Sequence, residues 1–527
     1  MDDNTVAFDF TRLPRELAVL ILSKLDLRDL LAATETSRYL RQLIRNTPLL
    51  QYPIELIACG MRDNPQSGNS MAERLDNLRR HDQAWRSMSW SNTVRIRVPS
   101  EGRVESKQGV MLVTKETVHP ERGVEVQQLP SSTRDIPRQV WTIKPGSDEE
   151  YDGEREVYEV DASQDLLIIR HGTTPVNTIF NVYTLSDGLP HPHAALKSFR
   201  ISNTGTEGGL SGSTAGAFIR REWVYLLDQS FEIYNWKTGE RNGNYDWRGT
   251  LTHFAFVSDR FLAVVVVGIP PSPAVLRIHE LPSSDPAVPV TYPPTIAALA
   301  FFLPEIANAL NADTEWELVG GSAQSAAQSG RLSGGDFASD RDETLILIPF
   351  RVEDRAYELI VATSRLLEFL PHPGDLSVGP GTFSLRDVPW SEWGPQCAHV
   401  HATTLNDDAL DQIQASLFGS RHVQSHPVRQ ASGENVVRVD DYQTSRVRRA
   451  EAAHDPAQTV HHGEAALGEW FESDELQTDL PYVETDMELP ESWQDKRPED
   501  VNVSINEDGI TLMDRSNSEE HGEAHTF

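Results

Sequence analysis

The chain has 527 residues, with 47 Lys and Arg against 79 Asp and Glu and a formal net charge of −32. That balance argues against a nucleic-acid surface, which needs clustered basic side chains against phosphate, and equally against an anionic membrane surface. Hydrophobic residues make up 39% and charged ones 24%, a globular mixture, while two cysteines, Cys59 and Cys397, are too few for a disulfide framework or a cysteine-rich zinc site.

Residues 1–10, MDDNTVAFDF, read as an acidic tail without the apolar core of a signal peptide. Leu13-Pro14 then opens a helix, because proline at the first helical position forfeits no hydrogen bond. Glu16 sits in the first turn, where a negative charge suits the helix dipole. Leu17, Ile21 and Leu25 recur every four residues, and Leu20 and Leu22 widen the stripe. Asp26 reads as the N-cap of a second helix carrying Leu30 and Leu31. Ser37 reads as the N-cap of a third, with Leu40, Leu43 and Ile44 as its stripe. Pro48 helps to stop that helix. Three short helices bury too little surface to stand alone. Their apolar flank is either a cap on the remainder of the chain or a docking face for a partner. Between Thr11 and Leu50 there are seven basic and four acidic side chains, a locally basic patch that suits an acidic partner.

Leu13-Pro14-x-Glu16-Leu17, Ile21-Leu22, Leu25, Asp29-Leu30-Leu31, Ser37-Arg38 and Arg41 together resemble an F-box. The resemblance places an F-box at residues 11–56 and implies docking on a Skp-type adaptor, which in turn holds a cullin scaffold and a RING subunit. The partner-binding residues it implies are Leu13, Pro14, Glu16, Leu17, Ile21, Leu22, Leu25, Leu30, Leu31, Ser37, Arg38, Leu40 and Arg41. No cofactor or metal is expected, and no CxxC occurs. Zinc-dependent activation of the ubiquitin-conjugating enzyme therefore falls to another subunit.

Residues 57–91 read as a linker, with a loop at Asn64–Asn69 and then a helix carrying Leu75, Leu78, Trp85 and Met88. From Asn92 the period changes to two: Val94, Ile96 and Val98 alternate with Arg95 and Arg97, a strand with one buried face. Residues 92–400 are then a run of short apolar strands. Five strand pairs are visible, at Gly109 and Gly123, Asp165 and Ile179, Trp223 and Phe231, Arg260 and Ala274, and Asp342 and Ala356. Two of them end in Tyr-x-(Leu or Trp)-x-x-Gly. Tandem strand pairs at this density predict a β-propeller of roughly six or seven blades, with a pair of β-sandwiches as the alternative. The fold class is therefore α+β multidomain: a small three-helix unit, then a large all-β domain. The most apolar run, Phe261–Ile269, is far short of the ~20 residues of a membrane helix, so the expected location is cytoplasmic, nuclear or both.

Gly205–Gly216 is glycine-rich but lacks any phosphate-loop pattern, and Gly320–Gly335 reads as a low-complexity insertion. Trp390 and Trp393, bracketed by Pro389 and Pro395, read as core packing or a binding hot spot. With Ser339-Asp340-Arg341-Asp342-Glu343 they resemble a group of F-box proteins common in mushroom-forming fungi. Residues 401–490 read as an irregular or disordered acidic segment, and His461-His462 with Glu464 lacks the second cluster a metal site needs. Order returns at 491–515. Val501, Val503 and Ile505, a turn at Glu507-Asp508-Gly509 and Ile510–Met513 predict a hairpin beside Val94–Val98 that closes the ring. Residues 516–527 read as a tail.

No GxSxG, HExxH, Walker or EF-hand pattern occurs. The reading is a substrate-recognition subunit of a cullin–RING ubiquitin ligase, non-catalytic in itself, carrying an unidentified protein target and neither nucleic acid nor membrane. The alternatives are an F-box scaffold that delivers nothing for degradation and a propeller enzyme with a docking tag.

Overall fold

The computed structural model describes residues 10–97, 102–107, 110–115, 123–144, 155–171, 177–202, 216–220, 223–227, 231–245, 254–258, 261–266, 274–280, 299–304, 319–320, 334–340, 343–352, 355–370, 386–403, 416–454, 457–463, 478–514 and 521–527. Residues 205–215, most of the Gly320–Gly335 stretch and the acidic start of the chain lie outside them.

The expected caps form. Helix α1 (Arg15–Leu22) follows Pro14. Asp26 caps α2 (Leu27–Thr36) by accepting the Asp29 N–H at 2.8 Å. Ser37 caps α3 (Arg38–Arg45) by accepting the Leu40 N–H at 3.1 Å. Helix α4 (Pro48–Ala58) begins with proline in its first turn, as an orphan N–H position allows. Ala18, Leu22, Leu30, Leu43, Ile44 and Leu50 make the small core of this unit. Helix α5 (Met71–Ser87) starts on a full capping box between Ser70 and Glu73. Between α4 and α5, Met61–Asp63 pairs antiparallel with Phe337–Ser339, so the linker contains a strand that the sequence reading missed.

The rest is β. Besides that two-stranded ribbon, the described strands form seven sheets, each of four or more strands. Five sheets follow in chain order, from Gly102–Lys107 to Ala398–Thr403. The fifth contains α6 (Thr363–Leu367) and α7 (Trp390–Cys397) in the connection to its last strand. The sixth runs from Leu417–Phe418 to Tyr482–Glu488 and carries α8 (Thr444–Ala453) as an insertion. After α9 (Glu491–Gln494) the closing sheet has Val501–Asn506, Gly509–Asp514, His521–Thr526 and, from the other end of the chain, Asn92–Arg97.

Among the described residues, six pairs of neighbouring sheets bury their faces against each other. Val94 and Ala524 of the closing sheet pack on Met111 and Val113 of the first. The first packs on the second through Val126, Ile143 and Leu167, and the second on the third through Phe180, Tyr234 and Trp236. The fourth meets the fifth at Phe301, Ile348 and Leu359, the fifth the sixth at Leu347 and Tyr442, and the sixth the closing sheet at Val437 and Leu512. Sheets stacked in sequence, with the last completed by Asn92–Arg97 from before the first sheet, make a β-propeller, and the sandwich alternative falls.

The repeated Tyr-x-(Leu or Trp)-x-x-Gly ending has a physical cause. In both copies the glycine closes a turn at positive φ, +74° at Gly188 and +76° at Gly239, where a side chain would be strained. The apolar residue three positions earlier, Leu185 or Trp236, is buried.

Three readings need correction. Residues 401–490 contain regular strands among those described. Asn435–Asp441 and Tyr482–Glu488 pair over six residues at the heart of the sixth sheet. Within residues 516–527, read as a tail, His521–Thr526 is a strand with neighbours on both edges. The hairpin 501–514 does join the sheet of Asn92–Arg97, but His521–Thr526 lies between them. Glu507 and Asp508 alone make its turn, since Asn506 pairs with Gly509.

Candidate functional site

A helix whose apolar residues outnumber the room beneath it must leave some in water. Helix α1 does so. Ala18 and Leu22 face the core, while Leu17, Leu20 and Ile21 stay 48%, 55% and 45% exposed. Leu25, after α1, and Leu31, on α2, are also exposed. Of the ten exposed large hydrophobic residues among those described, seven lie between Leu17 and Ile57. Scattered single apolar side chains mean little, but a cluster on so small a unit marks an interaction face.

The residues expected to bind a partner divide accordingly. Pro14, Glu16, Leu17, Ile21, Leu25, Leu31 and Arg38 are exposed. Leu22 and Leu30 are each 3% exposed, in the helical core. Leu13 and Leu40 are half-buried against the same core. The Ser37 hydroxyl is spent on capping α3. The Arg41 side chain crosses back to donate to the Thr34 carbonyl at 3.0 Å, so it ties α3 to α2. The sequence reading left out Leu20 as a contact, and also Leu49 and Ile57 on α4, both exposed. Their apolar character on a surface helix was the available signal.

Other candidate groups serve packing. Burial pushes the Cys59 thiol up to about 11 and the Cys397 thiol up to about 12; both are buried and unsuited to nucleophilic work. His461 stacks on Tyr482 at 4.7 Å and pairs with Glu484 at 3.4 Å, and His462 pairs with Glu451 at 3.2 Å. Glu464 lies outside the described residues, among which no group of three or more metal-ligating side chains occurs. Trp393 is fully buried, donates its indole N–H to the Phe302 carbonyl at 2.8 Å and meets Trp390 edge-on. It is a core residue, while Trp390 is half-buried above it. No described helix is long and apolar enough to cross a membrane.

Residues 10–52 match the family model described as F-box-like. The chain therefore carries an F-box-like domain, made of α1 to α3 and the start of α4, followed by a β-propeller. No curated protein sequence matches it. Among solved structures it is similar to the WD40 domain of Toxoplasma gondii coronin, at 9% identity and a TM-score of 0.34, over 83% of this chain and 87% of that one. It is also similar to BamB from Moraxella catarrhalis, at 8% identity and a TM-score of 0.26, over 83% and 97%. A third is Drosophila Plexin A in complex with Semaphorin 1b, at 10% and 0.31, over 82% and 86%. At such scores these likenesses carry no argument, and the propeller rests on the strand pairing above.

Proposed function

We propose that this protein is a substrate-recognition subunit of a cullin–RING ubiquitin ligase, whose F-box docks on a Skp-type adaptor while the propeller recruits a protein target. The observation that carries the proposal is a coincidence of place: the family match at residues 10–52 holds the exposed Leu17, Leu20, Ile21, Leu25 and Leu31. The two cysteines support an adaptor role over a catalytic one. A ligase that carries ubiquitin itself needs an accessible thiolate, and both thiols here are buried with raised pKa. Cullin and RING subunits would then come through the adaptor, and the work would be intracellular.

The test is binding of the full chain to purified Skp-type adaptor, measured by calorimetry. Fully burying a leucine or isoleucine contributes about 1.5–3 kcal/mol, and these side chains are already half covered. Leu17→Ala, Ile21→Ala and Leu25→Ala together should therefore cost about 3–4 kcal/mol, a loss of roughly 10²- to 10³-fold in affinity. Because the three are exposed, the melting temperature should hardly change. Wild-type chain that fails to bind the adaptor, or a triple variant that binds as well as wild type, refutes the assignment. Reconstituted ubiquitin transfer to a captured partner separates a ligase subunit from a scaffold.

A further inference from the structure

Helix α4 belongs to two cores at once. Its Leu50 and Ile54 pack with Leu22 and Ile44 of the F-box-like unit. Its Tyr52 and Leu56 pack with Leu75 and Leu78 of α5 and Phe337 of the propeller. One unbroken helix thus runs from the docking unit into the β domain.

The far end of that helix is finished by a distant part of the chain. The last carbonyls of a helix have no partner within it. In α4 they are met by side chains at the start of α8, the insertion in the sixth sheet. Gln443 donates to the Ile57 carbonyl at 3.2 Å, Ser445 to Ala58 at 2.9 Å and Arg446 to Cys59 at 3.1 Å, across 386 or 387 residues of sequence. A guanidinium at a helix C-terminus also suits the dipole. Arg446 is held in turn by Asp441 at 2.6 Å and lies 3.7 Å from Asp82 on α5. Arg449, one turn further along α8, bridges Asp82 at 3.0 Å and Glu55 on α4 at 3.5 Å. The approach is close: a Cβ at Gly60 would sit 2.9 Å from the Gln443 amide nitrogen.

We infer that the α8 insertion is a clamp, with Gln443, Ser445 and Arg446 as positioning residues, that makes the docking helices and the propeller one rigid body. The mechanical claim stands by itself. Its consequence rests on the proposed function: a docked adaptor and a propeller-bound target would be held at a fixed separation, as transfer onto a limited set of target lysines requires.

The test uses the full chain with spin labels on Arg28→Cys in α2 and Arg138→Cys just before the last strand of the first sheet, both exposed positions. The native thiols are buried and leave the labels to the new sites. Double electron–electron resonance on this labelled, otherwise wild-type chain should give one narrow distance distribution. Adding Ser445→Ala and Arg446→Gln should broaden it and speed amide exchange in the last turn of α4, about tenfold for each lost bond. Where Arg446→Gln unfolds the sixth sheet, judged by circular dichroism, Gln443→Ala with Ser445→Ala takes its place and should broaden the distribution likewise. A broad distribution before the clamp is altered, or a folded clamp variant as narrow as its parent, overturns the inference. Adaptor affinity should be the same in all of them. Absence of adaptor binding would sink the proposed function and leave the distance result standing.

Discussion

Removing residues 521–527 should unfold the propeller, and Phe527→Ala should weaken it measurably. Phe527 is 1% exposed. Its ring stacks on Trp90 at 4.6 Å and meets Trp85 edge-on at 4.9 Å and His81 at 5.7 Å. Truncating such a ring costs about 3–5 kcal/mol. Unfolding entropy of about 2.1 cal/mol/K per residue, over a propeller of about 430 residues, turns that into a fall of about 3–6 °C in Tm. Deleting the strand costs far more. It strips six residue pairs from Asn92–Arg97 and five from Gly509–Met513, and about ten ladder bonds at roughly 1 kcal/mol each add to the ring. The sum is about 13–15 kcal/mol, the whole stability of an ordinary domain. Thermal melts followed by far-ultraviolet circular dichroism test both variants. A truncated chain that keeps the parental transition would show that the ring is not closed by this strand.

Two buried titrating groups give opposite pH signatures. Burial opposes charge on His422, yet the carboxylates of Asp440 at 3.7 Å and Glu358 at 3.3 Å push its pKa up to about 9. The pKa is raised above the unfolded value of about 6.5. The stabilisation is therefore complete below about pH 6.5 and lost as pH climbs through 9. Tm should fall across that window, and His422→Gln should flatten the decline. Burial likewise opposes charge on Glu507. His81, 3.5 Å from the carboxylate, and the charges of Arg134 and Arg421 overcome it and hold the carboxyl well below the usual range. Here the stabilisation is present above about pH 4.3 and lost as pH falls below that. Glu507→Gln should destabilise the fold at pH 7, because the charges of Arg134 and Arg421 favour a carboxylate over a neutral amide there, and should blunt acid sensitivity; urea titrations at pH 7 and 4 check both. Trp393→Ala should cost about 3–5 kcal/mol in a urea melt and Trp390→Ala clearly less, since only Trp393 is fully covered.

Much of the β domain could be read from the chain, in a selective way. All five strand pairs visible in the sequence are the second and third strands of their sheets. Those strands are covered on both edges and both faces, so they read as long apolar runs such as Leu166–Ile169 and Leu345–Ile348, all buried. First and last strands lack that signal. The sixth sheet lost it even in its middle strands. Arg438 lies opposite Asp486 across the ladder and also reaches Glu484 at 3.2 Å. Cross-strand ion pairs made NVVRVDD and YVETDME look like solvated chain, although Val436, Val437, Val439 and Met487 are buried beneath them. The closing strand, HGEAHT, was hidden differently. Its buried face is Gly, Ala and Thr with His525, and no hydrophobic period marks it.

The docking unit was legible for a contrary reason. Helix starts are set within a few residues by proline or by a short oxygen-bearing side chain, so Pro14, Asp26 and Ser37 declare α1, α2 and α3 locally. Apolar type alone, however, does not say which side of a helix meets its own core. Leu17 and Leu22 look alike in the sequence, yet one is 48% exposed and the other 3%. The difference is decided by how α1 lies against Leu30, Ile44 and Leu50, which is tertiary information. The clamp on α4 is less legible still. Its three donors stand more than 380 residues from the carbonyls they satisfy, in a stretch whose charge resembles disorder. A helix capped from so far away has its last turn fully stabilised only when the sixth sheet is in place. The orientation of the exposed apolar face of α1 is therefore a property of the assembled ring, and damage to the sixth sheet should be felt at α4 before it is felt at α1.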